Sequence, residues 1–248
     1  MDVSLVIPAY NEEQRLPSTL ELYSTALRER VGDQFEIIVV ANGCRDNTAH
    51  VAREVAASIQ QITVIDIPAP IGKGGAVLEG FRLARGDYVL FADADAATTP
   101  ESLLSLLDHL DGHDVVIGSR YLATSTITTK QPLKRRIFSR LFNGLVRFGF
   151  GLPYCDTQCG AKAFRREGAK RLAQLVEETR WAFDVDMLLC AEGLGLAVIE
   201  QPIVWADQAG SQLRVGSTIR EVLKSLWHMK RRDFQVARTI FVTQMQEI

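Results

Sequence analysis

The stretch Tyr88–Asp95, YVLFADAD, decides how this 248-residue chain is read. Tyr88 to Ala92 is an apolar run with the length and character of a buried strand, and it ends on two carboxylates, Asp93 and Asp95, with one alanine between them. Like charges two residues apart repel, so their placement at the end of a hydrophobic strand asks for a cation. Oxygen ligands that leave room for phosphate oxygens suit Mg2+ or Mn2+, which makes Asp93 and Asp95 candidate metal ligands and places a nucleotide diphosphate beside them. The plainer alternative is a solvated turn leading into a helix at Pro100.

Outward from this strand the pattern alternates. Strands are predicted over 3–7, 35–40, 62–67, 88–92 and 114–117, and helices over 17–30, 46–58, 75–84 and 100–110. That rhythm predicts an α/β fold with a mostly parallel sheet covered by helices on both faces. Ligands of such sheets collect at the carboxyl ends of the strands. Four polar loops fall there: 10–13, 41–46, 71–75 and 93–95. In the third, Gly72, Gly74 and Gly75 would let backbone approach a ligand, and Lys73 would bring positive charge to phosphate; a simple glycine turn is the alternative. The spacing is not that of a Walker A loop.

The second half reads differently. A basic amphipathic segment over 132–148 (PLKRRIFSRLFNGLVRF) precedes a strand near 161–164, a helix from Asp184, a strand over 197–204 and a basic helix near 219–231. No repeat or linker divides the chain, so it reads as one domain over 1–248, with a nucleotide-binding half to about 120 and an acceptor half from 121.

Composition narrows the classes. With 47% hydrophobic and 23% charged residues and a formal net charge of −2, nothing points to nucleic acid. The longest apolar stretches, 137–152 and 234–248, are interrupted by Arg or Gln residues and fall short of a membrane span. The opening MDVS lacks the segments of a signal peptide, so the expectation is a cytoplasmic protein. Four scattered cysteines read as reduced and packed.

Taken together, VSLVIPAYNEE (3–13), NGCRDNT (42–48), GKGGA (72–76) and DADAA (93–97) resemble, in order and spacing, the inverting family 2 glycosyltransferases, whose fold is the type A glycosyltransferase fold. GSRY (118–121), DTQCGAKAF (156–164), RWAFDVD (180–186) and GSQL (210–213) are similar to dolichyl-phosphate beta-glucosyltransferases and their prokaryotic relatives.

That resemblance implies a sugar passed from a UDP- or GDP-sugar to a polyprenyl phosphate with inversion, UDP-glucose being favoured. Asp93 and Asp95 would hold metal and diphosphate, helped by Lys73, and Pro8, Tyr10 and Glu12 would line the base and ribose pocket. Ala41 and Asn42 stand where the family usually has two aspartates. Asn42 can both accept and donate, which leaves the base open. Arg120 would grip the acceptor phosphate, with Arg135 and Ser139 one helical turn apart beside it and Lys162 compensating charge. Asp156 and Asp184 would lie near the acceptor, Asp156 favoured for the chemistry and Asp184 for positioning, with structural caps as the alternative. Leu133, Ile137, Leu141 and Leu145, widened by Phe138 and Phe142, would form an apolar face suited to a membrane interface, and Lys230 to Arg232 after Trp227 a second contact. Three competing functions stay open: a soluble hydroxyl acceptor, a GDP-mannose donor, and a nucleotide-sugar-binding protein without turnover.

Overall fold

The computed structural model describes residues 2–129, 132–208 and 221–232. The chain divides into a compact unit, Met1–Ala209, and a second, Gly210–Ile248. Of the second, residues 221–232 are helical, with the Arg231 guanidinium over the Trp227 ring. The GSQL segment and the apolar stretch 234–248 lie outside the described residues.

The first unit is built on a seven-stranded sheet. In chain order the strands are β1 (Val3–Ala9), β2 (Phe35–Asn42), β3 (Ile62–Ile67), β4 (Tyr88–Ala92), β5 (Val115–Ser119), β6 (Thr126–Thr129), β7 (Ala161–Arg165), β8 (Val198–Pro202) and β9 (Val204–Ala206). The sheet order is β3-β2-β1-β4-β7-β5-β8, and β6 pairs with β9 apart from it. Every pairing in the large sheet is parallel except those of β7, which runs antiparallel between β4 and β5. One sheet therefore spans both halves read from the sequence.

Strands β1 and β2 are buried along their whole length, as expected for near-continuous apolar runs covered on both faces. The chain moves outward from β1 to β3 and then returns to β4 on the other side of β1. The carboxyl ends of β1 and β4 thus meet at a topological switch point, the place where open α/β sheets bind ligands.

Helices α1 (Leu16–Val31), α2 (Thr48–Ser58), α3 (Gly72–Leu83) and α4 (Pro100–Ser105) follow the first four strands. The residues expected to continue α4 tighten into a 3-10 turn over Leu106–His109. In α1, Leu16, Leu20, Tyr23 and Leu27 make the buried face, at the spacing of one helical stripe. That face also carries hydroxyls: Thr19 donates to the Ala94 carbonyl at 3.0 Å and Tyr23 to that of Thr98 at 2.9 Å. The backbone after the carboxylate strand is therefore held by α1.

The glycine run corrects the sequence reading. Residues 72–75 are the first turn of α3 instead of a loop before it. An ideal Cβ on Gly72, whose φ is +83°, would lie 2.2 Å from the Thr179 carbonyl oxygen, and one on Gly74 would lie 2.3 Å from Phe183 Cβ. The glycines serve the close approach of α3 to residues 179–183, and Gly75 N–H donates to the Thr179 carbonyl at 3.0 Å.

The second half adds α5 (Leu133–Phe150), α6 (Arg166–Leu175) and α7 (Phe183–Gly193). The sequence reading has no counterpart to α6 or β6. It also places Phe142 on the exposed face of α5, whereas Phe142 and Val146 are buried and pack inward.

At the opposite end of the sheet from the site, the Glu36 carboxylate is buried and accepts from Ser4 Oγ at 2.7 Å and from Arg85 N, Nε and Nη2 at 2.8, 3.0 and 2.7 Å. Burial alone would raise its pKa; the hydrogen bonds from Ser4 and Arg85 outweigh burial and hold it below the usual glutamate value. A depressed folded-state pKa contributes stability that is present above the unfolded value and lost as pH falls through the folded one. Glu36→Gln should therefore destabilise the protein by about 1–2 kcal/mol at neutral pH. The gap to wild type should close in acid, which urea titrations at neutral pH and below the usual carboxylate range would check.

Candidate functional site

Two loops at the ends of β1 and β2 are bolted together. Glu12 N–H donates to Thr48 Oγ1 at 2.7 Å, Arg45 N–H to Asn11 Oδ1 at 2.8 Å, Glu13 N–H to Asp46 Oδ2 at 3.2 Å and Asn47 N–H to Glu13 Oε2 at 2.8 Å. Asn11 sits at φ 56°, a left-handed conformation that asparagine tolerates. Polar side chains in these two motifs are thus largely spent on each other. Glu12, expected at the ribose, holds Arg15 through both carboxylate oxygens at 2.7 and 2.6 Å. Pro8 is buried within β1, and Tyr10, just past its end, is 40% exposed.

The carboxylate pair stands where the strand delivers it, at the end of β4. Lys73 Nζ lies 2.6 Å from Asp93 Oδ1, and Arg15 Nη1 lies 3.7 Å from Asp95 Oδ2. Asp95 also accepts from Ala97 N–H at 3.1 Å. Burial, then the neighbouring Asp93, raise the Asp95 pKa to about 6, against the pull of Ala97 N–H, Arg15 and Lys73. Burial lowers the Lys73 pKa, but Asp93 and Asp184 raise it further, so it stays an ammonium. Its charge is flanked by the rings of Phe91, Trp181 and Phe183, 5.4 to 6.0 Å away.

This donor set fits a hard divalent cation. Both groups are carboxylates, the pair is partly open to solvent, and one of its members holds a proton more tightly than an ordinary aspartate. Among the described residues no cluster of three or more His, Cys, Asp or Glu side chains forms a metal cage. A cation here would complete its shell with water or phosphate oxygens, which is the habit of Mg2+.

Two further carboxylate–cation pairs lie deeper. Arg120 donates to Asp156 through Nε at 2.7 Å and Nη2 at 2.8 Å, and through its own backbone N–H at 3.0 Å. Asp156 has no exposed side-chain surface, and although burial raises its pKa, Arg120 outweighs burial and holds it below the usual value. Favoured from sequence for the chemistry, Asp156 is instead engaged at both oxygens. Arg120 keeps Nη1 uncommitted to Asp156, its guanidinium lying over the rings of Tyr121 and Trp205. Lys162, in the interior strand β7, reaches the Cys159 carbonyl at 2.6 Å and the Asp184 carboxylate. Burial raises the Asp184 pKa against the pull of Lys162 and Lys73.

On α5, the two positions expected to face phosphate have protein partners. Arg135 lies 3.3 Å from Asp207, and Ser139 Oγ lies 2.8 Å from the Tyr121 hydroxyl. The same helix exposes Leu133, Ile137, Leu141 and Leu145 along one stripe, and near its end Phe148 is 94% exposed.

Several site residues were not singled out from sequence. Arg15 joins through the fold of α1, with no motif to mark it. Gly160 does carry a signal, since it lies within DTQCG: an ideal Cβ there would sit 2.0 Å from Asp93 Oδ2, so glycine leaves the room that the carboxylate fills in this rotamer. Asn143 accepts from Thr157 N–H and Oγ1, and Glu200 from the N–H groups of Cys155 and Asp156, fixing the loop that presents Asp156.

Comparison with known proteins bears on the family and the fold. The family model described as glycosyl transferase family 2 matches residues 4–173. The chain is 33% identical over 236 residues to the glycosyltransferase AglD of Haloferax volcanii, covering 92% of this chain but 38% of that protein. It is 37% identical over 227 residues to the dolichyl-phosphate beta-glucosyltransferase of Drosophila melanogaster, covering 86% of this chain and 69% of that protein. In fold it is similar to the glucosyl-3-phosphoglycerate synthase of Mycobacterium tuberculosis, solved with Mn2+, UDP-glucose and phosphoglyceric acid, with a TM-score of 0.69 at 21% identity over 92% of this chain and 79% of that one. With a matching family model over most of its length and a sheet that carries the DAD carboxylates to the switch point, the chain belongs to glycosyl transferase family 2.

Proposed function

We propose that the protein transfers glucose from UDP-glucose to a polyprenyl phosphate with inversion, in the presence of Mg2+ or Mn2+ held by Asp93 and Asp95. The observation that carries the reading is the convergence of Asp93, Asp95 and Lys73 at the switch point of the sheet. The relatives named dolichyl-phosphate beta-glucosyltransferase support the acceptor and the sugar.

A cation bound there supplies positive charge against the diphosphate as it leaves. Lys73, held in the aromatic enclosure of Phe91, Trp181 and Phe183, adds a fixed charge on the same side. Tyr10, Pro8 and Asn42 form the base end of the donor pocket. On the acceptor side, a phosphate monoester is already an anion at neutral pH and needs little help from a base. Asp156 then serves by anchoring Arg120, whose Nη1 positions the acceptor phosphate. Asp184, with its raised pKa, is the better candidate if a hydroxyl acceptor must lose a proton, and Lys162 keeps its charge balanced. The exposed stripe of α5, with Arg136, Arg140 and Arg147 also exposed, meets the membrane that holds the lipid acceptor. Among the described residues no helix is long and apolar enough to cross a membrane.

Radiolabelled UDP-glucose, Mn2+ and a polyprenyl phosphate should yield a lipid-linked glucose, and Asp95→Asn should reduce kcat/KM by about a hundredfold or more. Transfer only from GDP-mannose, only to a soluble hydroxyl compound, or no turnover at all would each select one of the competing functions. The raised pKa of Asp95 adds a pH signature. A proton competes with the cation for its carboxylate, so Mn2+-dependent binding of UDP-glucose should be full above about pH 6 and weaken below it. UDP-glucose suits this titration because the terminal phosphate of free UDP ionises in the same range, at a pKa of about 6. For the lipid-facing role, Ile137→Glu with Leu141→Glu should lower co-sedimentation with anionic vesicles by about tenfold while leaving the melting temperature unchanged, since both side chains are exposed.

A further inference from the structure

The end of β2 carries one polar group whose hydrogen-bonding sense is set by its neighbours. Asn42 is only 5% exposed, and its Oδ1 accepts from the Ile71 backbone N–H at 2.7 Å. A backbone N–H can only donate, so the atom facing it is the carbonyl oxygen and the amide orientation is determined. The other end of the amide, Nδ2, has no partner among the described residues, and it is not among their fully buried unpaired atoms. It therefore reaches the protein surface as a donor.

Its surroundings bound what it can meet. Ala41, beside it, is fully buried and brings no polar side chain. Ala41 pairs in register with Ala9, so the half-exposed ring of Tyr10 follows on the next strand. On the far side, the turn into α3 is packed so closely that a Cβ on Gly43 would lie 2.8 Å from Pro70. Asp66, paired in register with Ala41 on the other side, is engaged by Arg53 at 2.9 Å. An aromatic residue on the next strand and an N–H2 donor without a partner suit stacking of a flat heterocycle and reading of an acceptor on its edge.

We infer that Asn42 is a specificity-determining residue that reads the base of the nucleoside diphosphate through an acceptor atom, leaving a ring N–H at that edge unread. This rests on the reading in which the β2 end lines the base pocket of the donor. A uracil offers carbonyl oxygens to the amide but gains nothing for its N3–H from this residue. A cytosine offers its unprotonated N3 and a carbonyl oxygen. This position therefore does not separate the two pyrimidines.

Asn42→Asp reverses the sense without changing the shape. One carboxylate oxygen keeps the Ile71 N–H, and the other stands where Nδ2 stood, accepting where the wild type donates. It would welcome the uracil N3–H and repel the cytosine N3. Calorimetric titration of UDP and CDP in the presence of Mn2+, on the wild type and Asn42→Asp, reads this directly. The ratio of UDP to CDP affinity is expected to rise by about tenfold or more in the variant, the size of one hydrogen bond to a charged group. A smaller change overturns the inference while leaving the transferase reading intact. Failure of the wild type to bind any of UDP, CDP or GDP overturns both. Should Asn42→Asp not fold, as judged by its melting curve, Asn42→Ala carries the test. It removes a donor that serves both bases together with the acceptor of the Ile71 N–H, so UDP and CDP must weaken together, and a loss confined to one of them, or no loss at all, overturns the inference.

Discussion

Charge held out of water at one end of the sheet is the constraint on which the rest of this structure depends. Four aspartates gather there, and each is met by a cation: Asp95 by Arg15, Asp93 by Lys73, Asp156 by Arg120 and Asp184 by Lys162. Taking such groups from water costs several kcal/mol apiece, roughly, unless geometry and added hydrogen bonds offset it. The pairs differ in depth. Asp156 and Lys162 have no exposed side-chain surface, whereas Asp93 and Asp95 keep about a third and a quarter of theirs. The deep pairs have their carboxylates closed off from solvent, whereas the shallow pairs keep carboxylate surface open to it.

The fold supplies what this arrangement needs. Helix α1 uses two hydroxyls to hold the carbonyls that follow the carboxylates, so the DAD turn does not depend on a ligand for its shape. Glycine at 160 leaves space for Asp93, and glycines at 72 and 74 let α3 come close enough to residues 179–183 to set Lys73 among three rings. Strand β7, inserted antiparallel between β4 and β5, carries Lys162 into the interior of the sheet, where the buried Asp184 carboxylate is its partner. Helix α5 is divided between the two environments: Phe142, Asn143 and Val146 face inward, and Asn143 grips Thr157, directly after Asp156, while the opposite stripe is apolar and exposed.

Much of the first half was legible in the sequence because its signals are local. Continuous apolar runs mark strands covered on both faces, and β3 and β4 have the bounds read from the sequence. Carboxylates placed directly after such a run must lie at the strand end, whatever surrounds them. Less was legible where residues act through distant partners. The glycines of α3 read as a phosphate cradle because nothing local says that the chain at 179–183 will press against them. Helix α6 and strand β6 escaped notice because β6 is four residues long and α6 directly follows β7. Asp156 and Arg120 are far apart in sequence, so the capture of both carboxylate oxygens was not readable from either motif.

By itself, then, the sequence determined the α/β alternation, the position of the carboxylate pair on the strand that delivers it, and the family to which the ordered motifs belong. These follow from periodicity and short-range order, which need no knowledge of what packs where. Only the tertiary structure decided which charges are spent on one another and which remain for a ligand, and whether an amide such as Asn42 can accept or only donate. Those properties arise from burial and from the direction of a single neighbouring N–H, and both are settled when segments remote in the chain come within hydrogen-bonding distance.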